Sequence, residues 1–165
     1  MQASLIGWQL LDFHHVGLTV SDIERSIVFY RDVLGMTLVG RRPHVDSDYV
    51  GEQTGYPGLV LNAASLKVSR DSRQSLELVQ YMNRAGPPAD TATNRPGNSH
   101  LCLTTNDLHA CHAALKAQGV QFKTAPVEIT AGPNQGGQVV YFYDPDGYTL
   151  ELFQPPCLHA KCAAD

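Results

Sequence analysis

His15-Val-Gly-Leu-Thr-Val-Ser-Asp22 reads against His100-Leu-Cys-Leu-Thr-Thr-Asn-Asp107 at a constant offset of 85 residues. Downstream of each, Leu76-Glu-Leu-Val-Gln80 reads against Leu150-Glu-Leu-Phe-Gln154 at an offset of 74. Each half of the chain therefore opens on a histidine and closes on a glutamate. A long repeat present only twice is a duplicated module, because a solenoid needs three or more copies for stability. Apolar strand residues can be exchanged for others of similar volume, but the shared positions here include imidazoles and carboxylates, which are costly to bury without a partner. A bound metal ion is the partner that both kinds of group share.

Working outward, residues 11 to 20 read as a strand, and Ser21-Asp-Ile-Glu24 is a capping box that starts a helix. Ile23, Ile27, Tyr30 and Leu34 give that helix one apolar stripe, closed by Gly35. Strands follow over residues 36 to 43, 59 to 68 and 75 to 81, making the unit βαβββ. The second half repeats the order. A strand over 99 to 105 leads to Asn106 as N-cap, and the helix carries Leu108, Cys111, His112 and Leu115 on one face up to Gly119. Strands are expected over 120 to 123, 138 to 143 and 148 to 154, the last two joined by the turn Asp144-Pro-Asp-Gly147. Residues 124 to 135 are rich in Pro and Gly and read mostly as loop, and residues 84 to 97 have linker composition. The boundaries are module one at about 11–82, linker 84–97, module two at about 98–155 and a tail at 156–165, all one domain.

Side chains alternate along a strand, so Val16, Leu18 and Val20 oppose His15, Gly17 and Thr19, and Leu101 and Leu103 oppose His100, Cys102 and Thr104. Likewise Leu76 and Leu78 oppose Glu77, and Leu150 and Leu152 oppose Glu151. The apolar faces meet the helices. If the two units close their sheets around a common axis, His15, Glu77, His100 and Glu151 converge in one cavity.

Composition narrows the partners. With 43% hydrophobic and 17% charged residues and a net charge of −4, the chain reads as a soluble globular protein with no basic footprint for nucleic acid or an anionic membrane. The start, Met1-Gln-Ala-Ser-Leu-Ile-Gly-Trp8, has no basic stretch and no signal-like apolar run, and no segment reaches transmembrane length, so a cytoplasmic protein acting on a small molecule is expected. The four cysteines form no CxxC pair and should be reduced thiols. Cys157 and Cys162, with His159 between them, offer a soft-metal set but read as a frayed terminus.

The phrases from His15 through Tyr30 to Leu34-Gly-Met36, and Asp144-Pro-Asp-Gly-Tyr-Thr-Leu-Glu-Leu-Phe153, resemble the vicinal oxygen chelate superfamily, which includes glyoxalase I, methylmalonyl-CoA epimerase, extradiol dioxygenases, fosfomycin-resistance enzymes and bleomycin-binding proteins. The resemblance covers residues 11 to 155. It implies an α+β fold of two tandem βαβββ modules forming a cup-shaped, eight-stranded mixed sheet with helices on the outer face. It also implies one divalent ion (Ni, Co, Zn, Mn or Fe) on His15, Glu77, His100 and Glu151. The glyoxalase and epimerase branches have an acid or amide at the place held here by Glu77, whereas dioxygenases use two histidines and one glutamate.

Such a site leaves positions open for a ligand with two neighbouring oxygens, where the ion acts as a Lewis acid on an enolate. Glu77 and Glu151 are then the candidate bases, one for each face of the enolate. The first reading is a metal-dependent isomerase or lyase of glyoxalase and epimerase type. The second is an Fe(II) ring-cleaving dioxygenase using His15, His100 and Glu151, and the third is a small-molecule binding or resistance protein. A homodimer is expected, because two small modules leave sheet edges that need cover.

Other residues carry plainer expectations. Alternation turns His14 away from the site, His112 reads as a partly buried helix histidine, and His109 and His159 as surface groups. His44 and Glu52 fall in a loop-rich stretch that could supply a second acid or base but read as solvated loop residues, and Asp144 and Asp146 belong to a turn. Arg41, Arg42, Arg70 and Arg73 could attract a phosphate or carboxylate at the cavity rim, but scattered arginines read as solvated, and Cys102 lines the cavity without activation for attack.

Overall fold

The computed structural model describes residues 8 to 156. The tail with Cys157, His159 and Cys162 lies outside them. Among the described residues, eight strands form two four-stranded mixed sheets, each the product of one module. In the first, β1 (His15–Thr19), β2 (Thr37–Val45), β3 (Leu61–Lys67) and β4 (Ser75–Tyr81) run in the order β1-β4-β3-β2. In the second, β5 (Leu101–Thr104), β6 (Val127–Glu128), β7 (Gln138–Tyr143) and β8 (Thr149–Gln154) run in the order β5-β8-β7-β6. The first and last strand of each module pair in parallel and the other neighbours antiparallel, so the repeat in sequence is a repeat in topology. By compactness the chain divides into one unit running through Ile23 and resuming over Gly35–Arg84, and a second made of Glu24–Leu34 and the residues from Ala85 on. No helix among the described residues is long and apolar enough to cross a membrane.

Helix α1 (Ile23–Val28) continues as a π-helical turn, Phe29–Val33, closed by a bond from Leu34 N–H to the Phe29 carbonyl (3.0 Å) and by Gly35 at φ 75°. Ile23, Ile27 and Tyr30 are buried, as their spacing requires. The repeated glutamines turn out to hold the helices. Gln154 Oε1 accepts the N–H of Leu108, the first residue of α3 (Leu108–Ala117), at 2.7 Å, and Gln80 Oε1 accepts that of Ile23, the first residue of α1, at 3.5 Å. The first turn of a helix has orphan N–H groups, and here the last strand of each module supplies an acceptor.

Several boundaries depart from the sequence reading. Strand β1 starts only at His15, because its pairing with β4 begins at Ser75. The cap of α3 is Asp107, whose side chain accepts from Ala110 N–H, one residue beyond Asn106. Residues 120 to 123 contribute one isolated bridge, Phe122 to Phe142, and the second strand of this module is instead the short β6 within the Pro- and Gly-rich stretch. The stretch around Glu52 is an additional helix, α2 (Asp48–Thr54). Its Val50 packs with Leu59, Leu61 and Ala63 and against Val45, Val79 and Tyr81, a group that shares the Glu77 side of the first sheet by strand register. The opposite side buries Leu18, Ala64, Leu66, Leu76 and Leu78.

Candidate metal centre

In the first unit the register sets a row across the sheet: Gly17 beside Glu77, Glu77 beside Ser65, Ser65 beside Gly40. Glu77 therefore rises from a floor of small residues. A Cβ added at Gly17 would meet nothing within 4 Å, and one at Gly40 would reach only Ser65, at 3.8 Å. His15 stands two residues from Gly17 on the same face, its Nε2 3.7 Å from Glu77 Oε2. From the next row over, Arg42 on β2 reaches across Ala63, its register partner on β3, and places its guanidinium 2.6 Å from Glu77 Oε1. Each oxygen of Glu77 thus faces a different cation or potential donor. Just beyond Arg42, β2 bulges by one residue, with His44 at φ 52° and its N–H held by Asn62 Oδ1 at 2.9 Å.

In the second unit His100 Nε2 lies 2.8 Å from Glu151 Oε2. The residues flanking Glu151 across the ladder are Cys102 and Tyr141. The His100 ring sits 5.2 Å from the Tyr141 ring, and Lys123 Nζ lies 6.0 Å over the latter. Burial, followed by the Glu151 carboxylate beside it, pushes the Cys102 thiol up to about 11, so it is a neutral neighbour rather than a thiolate. Burial and then Glu151 raise the Tyr141 hydroxyl in the same direction.

Each unit thus brings together one imidazole and one carboxylate on the same sheet face. Two ligands about 2.1 Å from one ion at roughly a right angle lie about 3 Å apart, and the two observed spacings, 3.7 and 2.8 Å, bracket that value. The donor set fits a borderline divalent ion. Among the described residues no group of three or more His, Cys, Asp or Glu is gathered for an ion, so what the fold presents is two pairs.

The remaining sequence candidates separate. His14 is exposed, with Nδ1 2.8 Å from His15 Nδ1, so one of the two rings carries the shared proton. His112 is half-buried against Phe122, ring centroids 4.3 Å apart, and burial holds its pKa low. Asp144 is structural: it accepts from the Tyr30 hydroxyl at 3.0 Å and from the N–H groups of Asp146 and Tyr148. Arg73 pairs with Asp12. Arg42, expected to be a solvated arginine, is half exposed but ion-paired with Glu77. Sequence could have shown this only through the register that puts Arg42 and Glu77 on one face, and that register depends on strand pairing.

The model of the Glyoxalase/Bleomycin resistance protein/Dioxygenase superfamily matches residues 12–152. The chain belongs to that superfamily. It is 33% identical over 141 residues to the Bacillus subtilis protein YwbC, covering 85% of this chain and 94% of that one. It is 29% identical over 142 residues to the lactoylglutathione lyase of Haemophilus influenzae, covering 85% and 90%. A solved structure of a glyoxalase family protein from Bacillus cereus superposes with a TM-score of 0.78 at 21% identity, over 92% of this chain and 99% of that one, a likeness of fold.

Proposed function

We propose that this superfamily member is a divalent-metal-dependent lyase or isomerase of glyoxalase and epimerase type, working as a homodimer on a small substrate with two vicinal oxygens. The observation that supports it is the duplicated imidazole and carboxylate pair, His15 with Glu77 and His100 with Glu151, at matching places in two modules. Relatives named lactoylglutathione lyase point the same way. When bound, the ion supplies electrophilic stabilisation of negative charge on the ligand's oxygens. The chain's own part is to orient the substrate and to move a proton from a carbon beside a carbonyl. Glu151 is the better placed base, because its ladder neighbours Cys102 and Tyr141 are neutral groups, whereas Glu77 is tied by Arg42.

The tie between Glu77 and Arg42 favours one further reading. If Glu77 stays with Arg42, the ligands reduce to His15, His100 and Glu151, the two-histidine, one-carboxylate set of Fe(II) oxygenases. One experiment separates the two. Metal-replete protein is incubated in D₂O with thiohemiacetals of 2-oxoaldehydes and with 2-methyl thioesters, and C–H exchange is followed by NMR while dissolved oxygen is recorded with catechols. Metal-dependent exchange without oxygen uptake is expected. Oxygen consumption by the iron form with no exchange on any of these compounds would replace the first reading by the second.

A further inference from the structure

We propose that Arg42 is the specificity-determining residue of this site, recognising an anionic group, a carboxylate or its like, on the ligand that chelates the ion. The assignment rests on the metal-dependent reading above. Arg42 and Glu77 sit on strands separated by β3, and the guanidinium reaches Glu77 only because the residues of β3 on that face are Ala63 and Ser65. The side chain of Arg42 remains more than half exposed, at 54%, while that of Glu77 is 24% exposed. The guanidinium therefore lies beside Glu77 on the sheet face that also carries His15, Gly17, Ser65 and Gly40. Glu77 is its one acidic partner among the described ion pairs.

A permanent cation in that position has a consequence for the ligand. An arginine cannot shed its charge. When Glu77 gives its charge to a dication, the guanidinium loses most of its counter-charge and stands beside two further positive charges. A neutral ligand leaves that repulsion unanswered. A ligand with an anionic group beside its chelating oxygens answers it, and the planar fork of donors suits a carboxylate in bidentate geometry. The second module has no arginine in this role: Glu151 is flanked by Cys102 and Tyr141.

Cobalt(II)-loaded protein tests this through its visible absorption, independently of turnover. Hydroxamates chelate through two vicinal oxygens, so butanehydroxamic acid is compared with the monohydroxamates of malonic, succinic and glutaric acids, which add a carboxylate at increasing reach. Wild type should bind at least one of the acids about tenfold more tightly than the neutral compound, the range of one charge-assisted hydrogen bond. In Arg42→Gln the preference should fall to within about twofold, with cobalt uptake and affinity for butanehydroxamic acid retained, and Arg42→Lys should keep part of it. Equal preference in wild type and Arg42→Gln, or no preference in wild type, overturns the role of Arg42 alone. Loss of cobalt in Arg42→Gln as in Glu77→Ala also overturns it, by showing that the arginine only positions Glu77. A wild-type protein that takes up no cobalt overturns the metal reading and this assignment with it.

Discussion

Glu77 and Glu151 hold the same place in the repeat yet face opposite electrostatic settings, one against a guanidinium and the other against a thiol and a phenol. The pairing of each with a histidine is what the two share, and it leads to the first prediction. Alanine at His15, Glu77, His100 or Glu151 should weaken metal binding by about tenfold or more, since even losses in the shell behind the ligands cost 10- to 100-fold. Alanine at His14 or His112 should leave it nearly unchanged, as measured by elemental analysis after dialysis. Metal retained in His15→Ala but lost in His14→Ala would assign the first ligand to the wrong member of the 2.8 Å pair. His112 belongs to stability instead. Its pKa is depressed by burial and then by Lys116 and His109, so the unfolded chain binds the proton more readily than the folded one. Its contribution is present above the ordinary histidine value of about 6.5 and is lost as pH falls through that value toward the folded one. His112→Gln should therefore flatten the fall in Tm between about pH 7 and pH 5, which differential scanning fluorimetry across that range would show.

At the scale of elements, the glutamine at the end of each repeat is a fixture of the fold, because it carries a hydrogen bond from the closing strand to the first turn of a helix. Leu108 is buried and its N–H has Gln154 Oε1 at 2.7 Å, whereas the equivalent bond from Ile23 to Gln80 is 3.5 Å. Gln154→Leu should cost about 1–3 kcal/mol, the penalty of an orphaned buried donor, and Gln80→Leu less. Urea titration checks the order, and equal losses would show that the shorter bond carries no more than the longer. Strands β4 and β7 matched the residues expected from alternation because each has a long, uninterrupted antiparallel pairing, β4 with β3 and β7 with β8. Helix α2 escaped because its one apolar anchor is Val50 and a glycine follows it. A Cβ at Gly51 would stand 3.0 Å from the Tyr56 carbonyl, so packing favours glycine there, but in sequence it reads as a helix breaker. The short β6 was hidden by its Pro- and Gly-rich surroundings. The two histidines and two glutamates were legible because duplication displays them twice; Arg42 occurs in one module only, so no repeat marked it.

For the whole molecule, the segment leading into β1 bears on assembly. Trp8, Leu10, Leu11 and Phe13 are all exposed, Leu10 to 90%, and the strand expected from Leu11 joins the β4 ladder only from His15. Strands β1, β2, β5 and β6 are the sheet edges, each with one unpaired side. Exposed apolar groups next to open edges are what a second copy covers, since burial of apolar surface is favourable at about 25 cal/mol per Å² and an open edge invites pairing. A homodimer at micromolar concentration is therefore expected by sedimentation velocity, and the double substitution Leu10→Asp with Leu11→Asp should shift it to monomer while leaving the circular dichroism of the folded chain unchanged. A monomeric wild-type protein would dispose of the dimer. An unchanged dimer in the double variant would move the interface to the strand edges alone. The metal-dependent reading requires the two ligand pairs to come from one chain or from two. The linker from 84 to 97 spans up to about 3.3 Å per residue when extended, enough for a site within one chain or for one that draws each pair from a different chain. Mixing His15→Ala with His100→Ala protein under conditions that exchange subunits decides it: metal binding regained in the hybrid means that each site takes one pair from each copy, and no recovery means that each chain keeps its own.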